Sequence, residues 1–159
     1  MINGAPPNHD DKLCETSTGE LPMKAFIPYL NFDGNCGDAM RFYHKCLGGQ
    51  LDMQTFAEAK MPGPTGTENR VVHARLSNGA AMLMASDTMP GMPFTQGNNV
   101  YVNVDCESVA EIERIFAALS EGGKVTMPLA DQFWGARFGM LIDKFGLHWM
   151  FNCELPKRG

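Results

Sequence analysis

The chain has 159 residues, 44% of them hydrophobic and 19% charged, with a formal net charge of -5. That balance suits one globular domain, or two small modules sharing a core, and needs no disulfide or metal staple on grounds of size. No basic run exceeds the terminal pair Lys157-Arg158 and no apolar stretch could span a bilayer, which argues against nucleic-acid and membrane partners.

Residues 1–22 are rich in Pro, Asn, Asp, Ser, Thr and Gly. They are predicted to form an irregular extension, and they lack the basic and apolar regions of a secretory signal. The folded domain is expected over residues 23–156. Five cysteines (Cys14, Cys36, Cys46, Cys106 and Cys153) are odd in number and include no C-x-x-C pair. Reduced thiols in a cytoplasmic protein are the expectation, and no local motif marks one of them as a nucleophile.

An internal repeat organises the rest. Tyr29-Leu30-Asn31-Phe32-Asp33 recurs as Tyr101-Val102-Asn103-Val104-Asp105. Each pentapeptide reads as a strand leading into an amphipathic helix. The first helix has Asn35 as its expected cap and a stripe of Ala39, Met40, Tyr43, Cys46 and Leu47. The second has a Ser108/Glu111 capping box and a stripe of Val109, Ile112, Phe116 and Leu119. Each closes at a glycine pair, Gly48-Gly49 or Gly122-Gly123, suited to the left-handed backbone that ends a helix.

A strand follows each pair (Gln50–Phe56; Lys124–Leu129), then a hairpin. The first hairpin runs Val71–Ser77, turns at Asn78-Gly79 and returns through Ala80–Ser86. The second runs Arg137–Asp143, turns at Lys144-Phe145-Gly146 and returns through Leu147–Cys153. The order β-α-β-β-β therefore occurs twice, in modules spanning about 24–87 and 98–154, which makes the fold α+β.

Strand alternation assigns the faces. Leu30, Phe32, Val102, Val104, Trp149 and Phe151 belong beneath the helices. Tyr29 and Asn31 share the opposite face, as do Asn99, Tyr101 and Asn103, then His148 and Met150, and in the third strand His73 and Arg75. A half-polar sheet face of this kind suits a small-molecule pocket, although a wet face or an interface would alternate in the same way. His73 and His148 are the candidate general bases, because histidine titrates near neutrality. Tyr29, Asn31, Arg75, Asn99, Tyr101, Asn103, Trp134 and Met150 are the candidate ligand contacts. Asp33 and Asp105, at equivalent strand-to-helix junctions, read as caps.

Ile27-Pro28-Tyr29-Leu30-Asn31-Phe32 with Asn35-Cys36, Ala39 and Phe42-Tyr43 resembles the opening of PhnB-like proteins. Ser86-Asp87, Phe133-Trp134-Gly135-Ala136-Arg137-Phe138-Gly139 and Asp143-Lys144-Phe145-Gly146-Leu147-His148-Trp149 extend the resemblance, which covers about residues 24–154. These proteins form a branch of the vicinal oxygen chelate superfamily, with glyoxalase I, bleomycin-resistance proteins and extradiol dioxygenases. The resemblance implies paired βαβββ modules forming a cupped mixed sheet, and a homodimer. Metal-dependent members hold a divalent ion with His and Glu ligands at four strand positions. Aligned by the repeat, those positions fall at about Ile27, Leu83, Asn99 and Met150, side chains that do not make a site for such an ion. No metal site and no cofactor are therefore expected. Some PhnB-like proteins carry a methyltransferase description, yet the chain has no G-x-G-x-x-G loop to hold a nucleotide-type cofactor. The expected function is metal-independent binding of a small molecule in the cupped sheet. The alternatives are a lyase or isomerase using a pocket histidine, or a metal-dependent glyoxalase-like or dioxygenase-like enzyme if metal is found.

Overall fold

The computed structural model describes residues 24–156. The expected extension at 1–22, with Cys14, and the Lys157-Arg158 pair lie outside the described residues. The first module comprises β1 (Tyr29–Phe32), α1 (Cys36–Leu47), β2 (Gln50–Thr55), β3 (Val71–Asn78) and β4 (Ala81–Asp87). The second comprises β5 (Val102–Asp105), α2 (Val109–Ser120), β6 (Lys124–Asp131), β7 (Ala136–Ile142) and β8 (His148–Glu154). The strands order as β1-β4-β3-β2 and β5-β8-β7-β6, two mixed four-stranded sheets of the same topology. The α+β reading and the doubled β-α-β-β-β order both hold.

In each module the first strand pairs in parallel with the last, Tyr29 opposite Met84 and Val102 opposite Trp149, and the other pairings are antiparallel. Each helix lies on one face of its own sheet, and the helices also meet one another. Arg114 Nη1 donates to the Cys46 carbonyl at 3.1 Å, tying α2 to the end of α1. Phe32, Met40, Tyr43, Leu83, Ile112, Phe116, Trp149 and Phe151 belong to a single buried cluster. The two modules therefore share one core.

Local chemistry explains most boundaries. The Ser108 cap of α2 forms, its Oγ accepting from Glu111 N–H at 3.2 Å, while the Glu111 carboxylate reaches one residue past the cap to accept from Glu107 N–H at 3.0 Å. The cap expected at Asn35 does not, since its side chain makes no such bond. Asp87, from the end of β4, supplies the acceptor instead. Its Oδ1 accepts from Gly34 N–H (2.8 Å) and Cys36 N–H (3.0 Å), and its Oδ2 from Val71 N–H (2.8 Å). A tertiary carboxylate thus satisfies the first N–H of α1 and ties the β1–α1 turn, β3 and β4 to it.

Asp33 and Asp105 are not caps either. Asp33 pairs with Arg70 at 3.0 Å, and Asp105 accepts from Asn152 Nδ2 at 2.9 Å. In each glycine pair the first residue has φ of +72°, as a helix stop requires. The second has another cause: a Cβ on Gly49 would strike the Ser77 carbonyl, and one on Gly123 the Ile142 carbonyl. The strand β6 continues past its expected end at Leu129 to Asp131. As an edge strand it tolerates Pro128, and its register shifts twice against β7.

The end of β7 is closed by Asp143, which is 3% exposed. Its Oδ1 accepts from Phe145 N–H (2.8 Å) and Leu147 N–H (3.0 Å), and its Oδ2 from the Trp149 indole N–H (2.8 Å). Asp143→Asn would turn one acceptor into a donor facing N–H groups. A loss of about 2–3 kcal/mol is expected, since bonds to a charged acceptor are worth more than neutral ones. Urea unfolding measures it, and an unchanged midpoint would show that the turn does not depend on this carboxylate.

Candidate functional site

The face of each sheet away from its helix is open. In the first module it carries Tyr29 and Asn31 on β1, Met82, Met84 and Ser86 on β4, His73 and Arg75 on β3, and Asp52 and Gln54 on β2, the partners of Arg75 and His73. In the second it carries Tyr101 just before β5, Asn103 on β5, His148 and Met150 on β8, and Met140 and Ile142 on β7. The alternating burial of β8, with Trp149, Phe151 and Cys153 buried, sets this choice of face.

Where the modules adjoin, β1, the connecting segment 94–100 and the start of β8 enclose a cleft of about 300 Å³. Tyr29, Asn31, Asn99 and His148 line it, together with Phe94, Gln96, Val100 and Leu147. Gln96 Nε2 donates to the Phe145 carbonyl at 3.2 Å, holding the connecting segment against the β7–β8 turn. Sequence reasoning passed over Phe94 and Gln96. They lie outside the strands, where periodicity carries no signal.

Two tyrosine–histidine pairs flank the cleft. Tyr29 Oη and His73 Nδ1 lie 3.3 Å apart, in hydrogen-bond contact. The Tyr101 ring stands edge-on to His148, with centroids 5.0 Å apart. His148 Nδ1 is buried and has no protein hydrogen-bond partner, an uncompensated polar atom at the cleft wall.

The other candidates are distributed around this centre. Arg75 shares the open face of the first sheet but does not line the cleft, and Asn103 and Met150 sit opposite one another on the second sheet. Trp134 lies apart, in the turn between β6 and β7, half exposed and edge-on to Phe133 and Phe138. Arg137 is committed to Glu113 (2.7 Å) and Asp131 (3.1 Å).

The four positions assigned to a metal by repeat alignment need one correction. Leu83 is buried among the core residues on the helix side of β4. The side chains of β4 on the open face are those of Met82, Met84 and Ser86. The polar side chains lining the cleft include two Asn, a Gln, a Tyr and one His but no carboxylate, a poor set for a hard divalent cation. Among the described residues no group of three or more His, Cys, Asp or Glu side chains is placed to hold a metal ion. Among the described residues the thiols offer no exposed nucleophile: Cys36, Cys46, Cys106 and Cys153 are free and buried. Burial pushes the Cys36 thiol up to about 12, with help from the nearby Asp87 carboxylate, and Cys106 up to about 11.

The family model described as 3-demethylubiquinone-9 3-methyltransferase matches residues 24–151. The solved structure of protein PA1353 from Pseudomonas aeruginosa is 45% identical, with a TM-score of 0.75, over 82% of this chain and 98% of that one. A PhnB protein from Bacillus cereus is 27% identical, with a TM-score of 0.66, over 80% of this chain and 98% of that one. A glyoxalase/bleomycin resistance protein/dioxygenase family enzyme from Burkholderia phytofirmans shares the fold, with a TM-score of 0.57 at 12% identity, over 81% of this chain and 97% of that one.

Proposed function

Because the chain belongs to the PhnB-like, 3-demethylubiquinone-9 3-methyltransferase family and has the glyoxalase/bleomycin resistance fold, we propose that it binds a small organic molecule in its open sheet faces without a metal ion. One observation carries this reading: Tyr29, Asn31, Asn99 and His148 converge on a single cleft that lacks a carboxylate–histidine ligand set. A few placed polar groups in an otherwise apolar concavity orient a ligand, whereas a metal enzyme of this fold needs hard donors there. The test is the divalent metal content of protein purified without chelator, beside a metal-supplemented sample. Sub-stoichiometric metal in both is expected, and near-stoichiometric zinc or a transition metal in either would overturn the metal-free reading.

A second reading rests on the place of His148 in the cleft wall. A histidine there can take a proton from a bound carbon acid, the step that begins many isomerisations and eliminations. Exchange of α-protons with D₂O across a panel of 2-oxo acids, followed by NMR, examines it. Protein-dependent exchange that falls about 100-fold or more in His148→Ala is the expected outcome. No exchange above background with the unaltered protein would remove the reading.

The proposal includes a homodimer. Phe133 is 97% exposed and Trp134 52%, with Val125 and Met127 also exposed on the neighbouring edge strand. These exposed apolar side chains on β6 and the turn after it support such an interface. Light scattering should give the mass of two chains, shifting toward one in Trp134→Asp. A single-chain mass for the unaltered protein would exclude the dimer.

A further inference from the structure

Resting on the small-molecule reading, and deepening it, we propose that the occupant is an organic monoanion. Its carboxylate sits on Arg75, and its apolar body runs over Met84 toward Tyr29 and the cleft.

The first observation concerns the arginines. Arg41 pairs with Asp38 (3.0 Å), Arg70 with Asp33 (3.0 Å) and the Thr88 carbonyl (2.7 Å), and Arg137 with Glu113 and Asp131. Arg114 bonds the Cys46 carbonyl. Among the described residues Arg75 alone is an arginine with neither an ion pair nor a side-chain hydrogen bond. The carboxylate opposite it on β2, Asp52, takes its hydrogen bonds from Gln50 Nε2 at 3.2 and 3.3 Å.

The second observation is where that free guanidinium stands. Register places Arg75 across from Met84, and Met84 across from Tyr29. Arg75 and the cleft-lining tyrosine are therefore two strand spacings apart, roughly 10 Å. His73, two residues from Arg75 on the same face, is the hydrogen-bond contact of Tyr29. Between the charged end and the cleft lies methionine, a polarizable side chain that accommodates varied apolar shapes. The geometry defines a cation at one end, an adaptable apolar floor and hydrogen-bonding groups at the other.

The charge count selects the anion. Across β1, β2, β3 and β4, Arg75 is the only Lys or Arg, and the Asp52 carboxylate stands opposite it on the same face, so the site has no positive charge to spare for a second anionic group. One guanidinium fork matches the two oxygens of a carboxylate through parallel N–H···O bonds. A phosphate or phosphonate dianion would leave a second charge without a partner on this face.

The experiment titrates the full-length protein by calorimetry, at about pH 9 so that the phosphonate is a dianion and arginine keeps its charge, with 4-phenylbutyrate, its neutral amide and 3-phenylpropylphosphonate. Arg75→Gln and Arg75→Lys are run beside the unaltered chain. The acid should bind about tenfold or more tightly than the amide. Arg75→Gln should bring the acid down to the level of the amide while leaving the amide unchanged. Arg75→Lys should retain part of the difference, and the phosphonate should bind no more tightly than the acid. Equal affinity for acid and amide, or an Arg75→Gln variant that keeps full affinity for the acid, would overturn the assignment. So would a phosphonate that binds tenfold more tightly than the carboxylate. If a neutral fragment panel occupies the cleft and these acids do not, the monoanion fails while the binding function stands. If neither the panel nor the acids bind, the function itself fails.

Discussion

The bond between the Trp149 indole and the buried carboxylate of Asp143 is the constraint on which the arrangement of this protein turns. An indole N–H taken out of water must find an acceptor, and Asp143 is held in place by two backbone donors of the β7–β8 turn. With Trp149 directed inward, the alternation of β8 leaves His148 and Met150 no choice but the open face. The same indole packs edge-on against Tyr43 of α1, with ring centroids 5.3 Å apart, so the bond also seats the second module on the first. The position of the cleft histidine is thus a consequence of how the next residue, Trp149, packs into the core.

Asp87 does the corresponding work in the first module, by a different route. It draws together the β1–α1 turn, the first turn of α1 and the start of β3. Each module therefore has one buried carboxylate where its strands and turns converge, and each is satisfied by three N–H donors. Such groups are costly to bury without partners and strongly orienting with them.

On the open side of the sheets the two halves have diverged in character. The first sheet carries Arg75, His73, Tyr29 and Asn31, while the neighbouring part of the second carries Met140, Met150 and Ile142 beside Tyr101 and His148. The duplication preserved the frame, down to the second glycine that lets each following strand pass a backbone carbonyl. It did not preserve the surface. A molecule lying across the junction would meet charge and hydrogen-bonding groups on one side and a mostly apolar wall on the other.

The repeated pentapeptide, the helix stripes and the strand alternation were legible in the residues because they depend on neighbours along the chain. Those local periods suffice for the α+β modules and for the face on which Tyr29, Asn31, His73, Arg75 and His148 lie. The cap at Ser108 was legible for the same reason, its partner being three residues away. The role of Asp87 was not, because it caps a helix 51 residues earlier, and neither were the ion pair of Asp33 nor the bond of Asp105 to Asn152. The Leu83 position failed as the counterpart of Met150 because the strand register gives that place to Ser86, opposite Asn31 as Met150 is opposite Asn103, and an odd offset in a strand exchanges the faces. The cleft itself, with Phe94 and Gln96 in its wall, belongs wholly to tertiary structure. Chain-local patterns specify which way a side chain points, but only the packing of two modules brings distant side chains to one place.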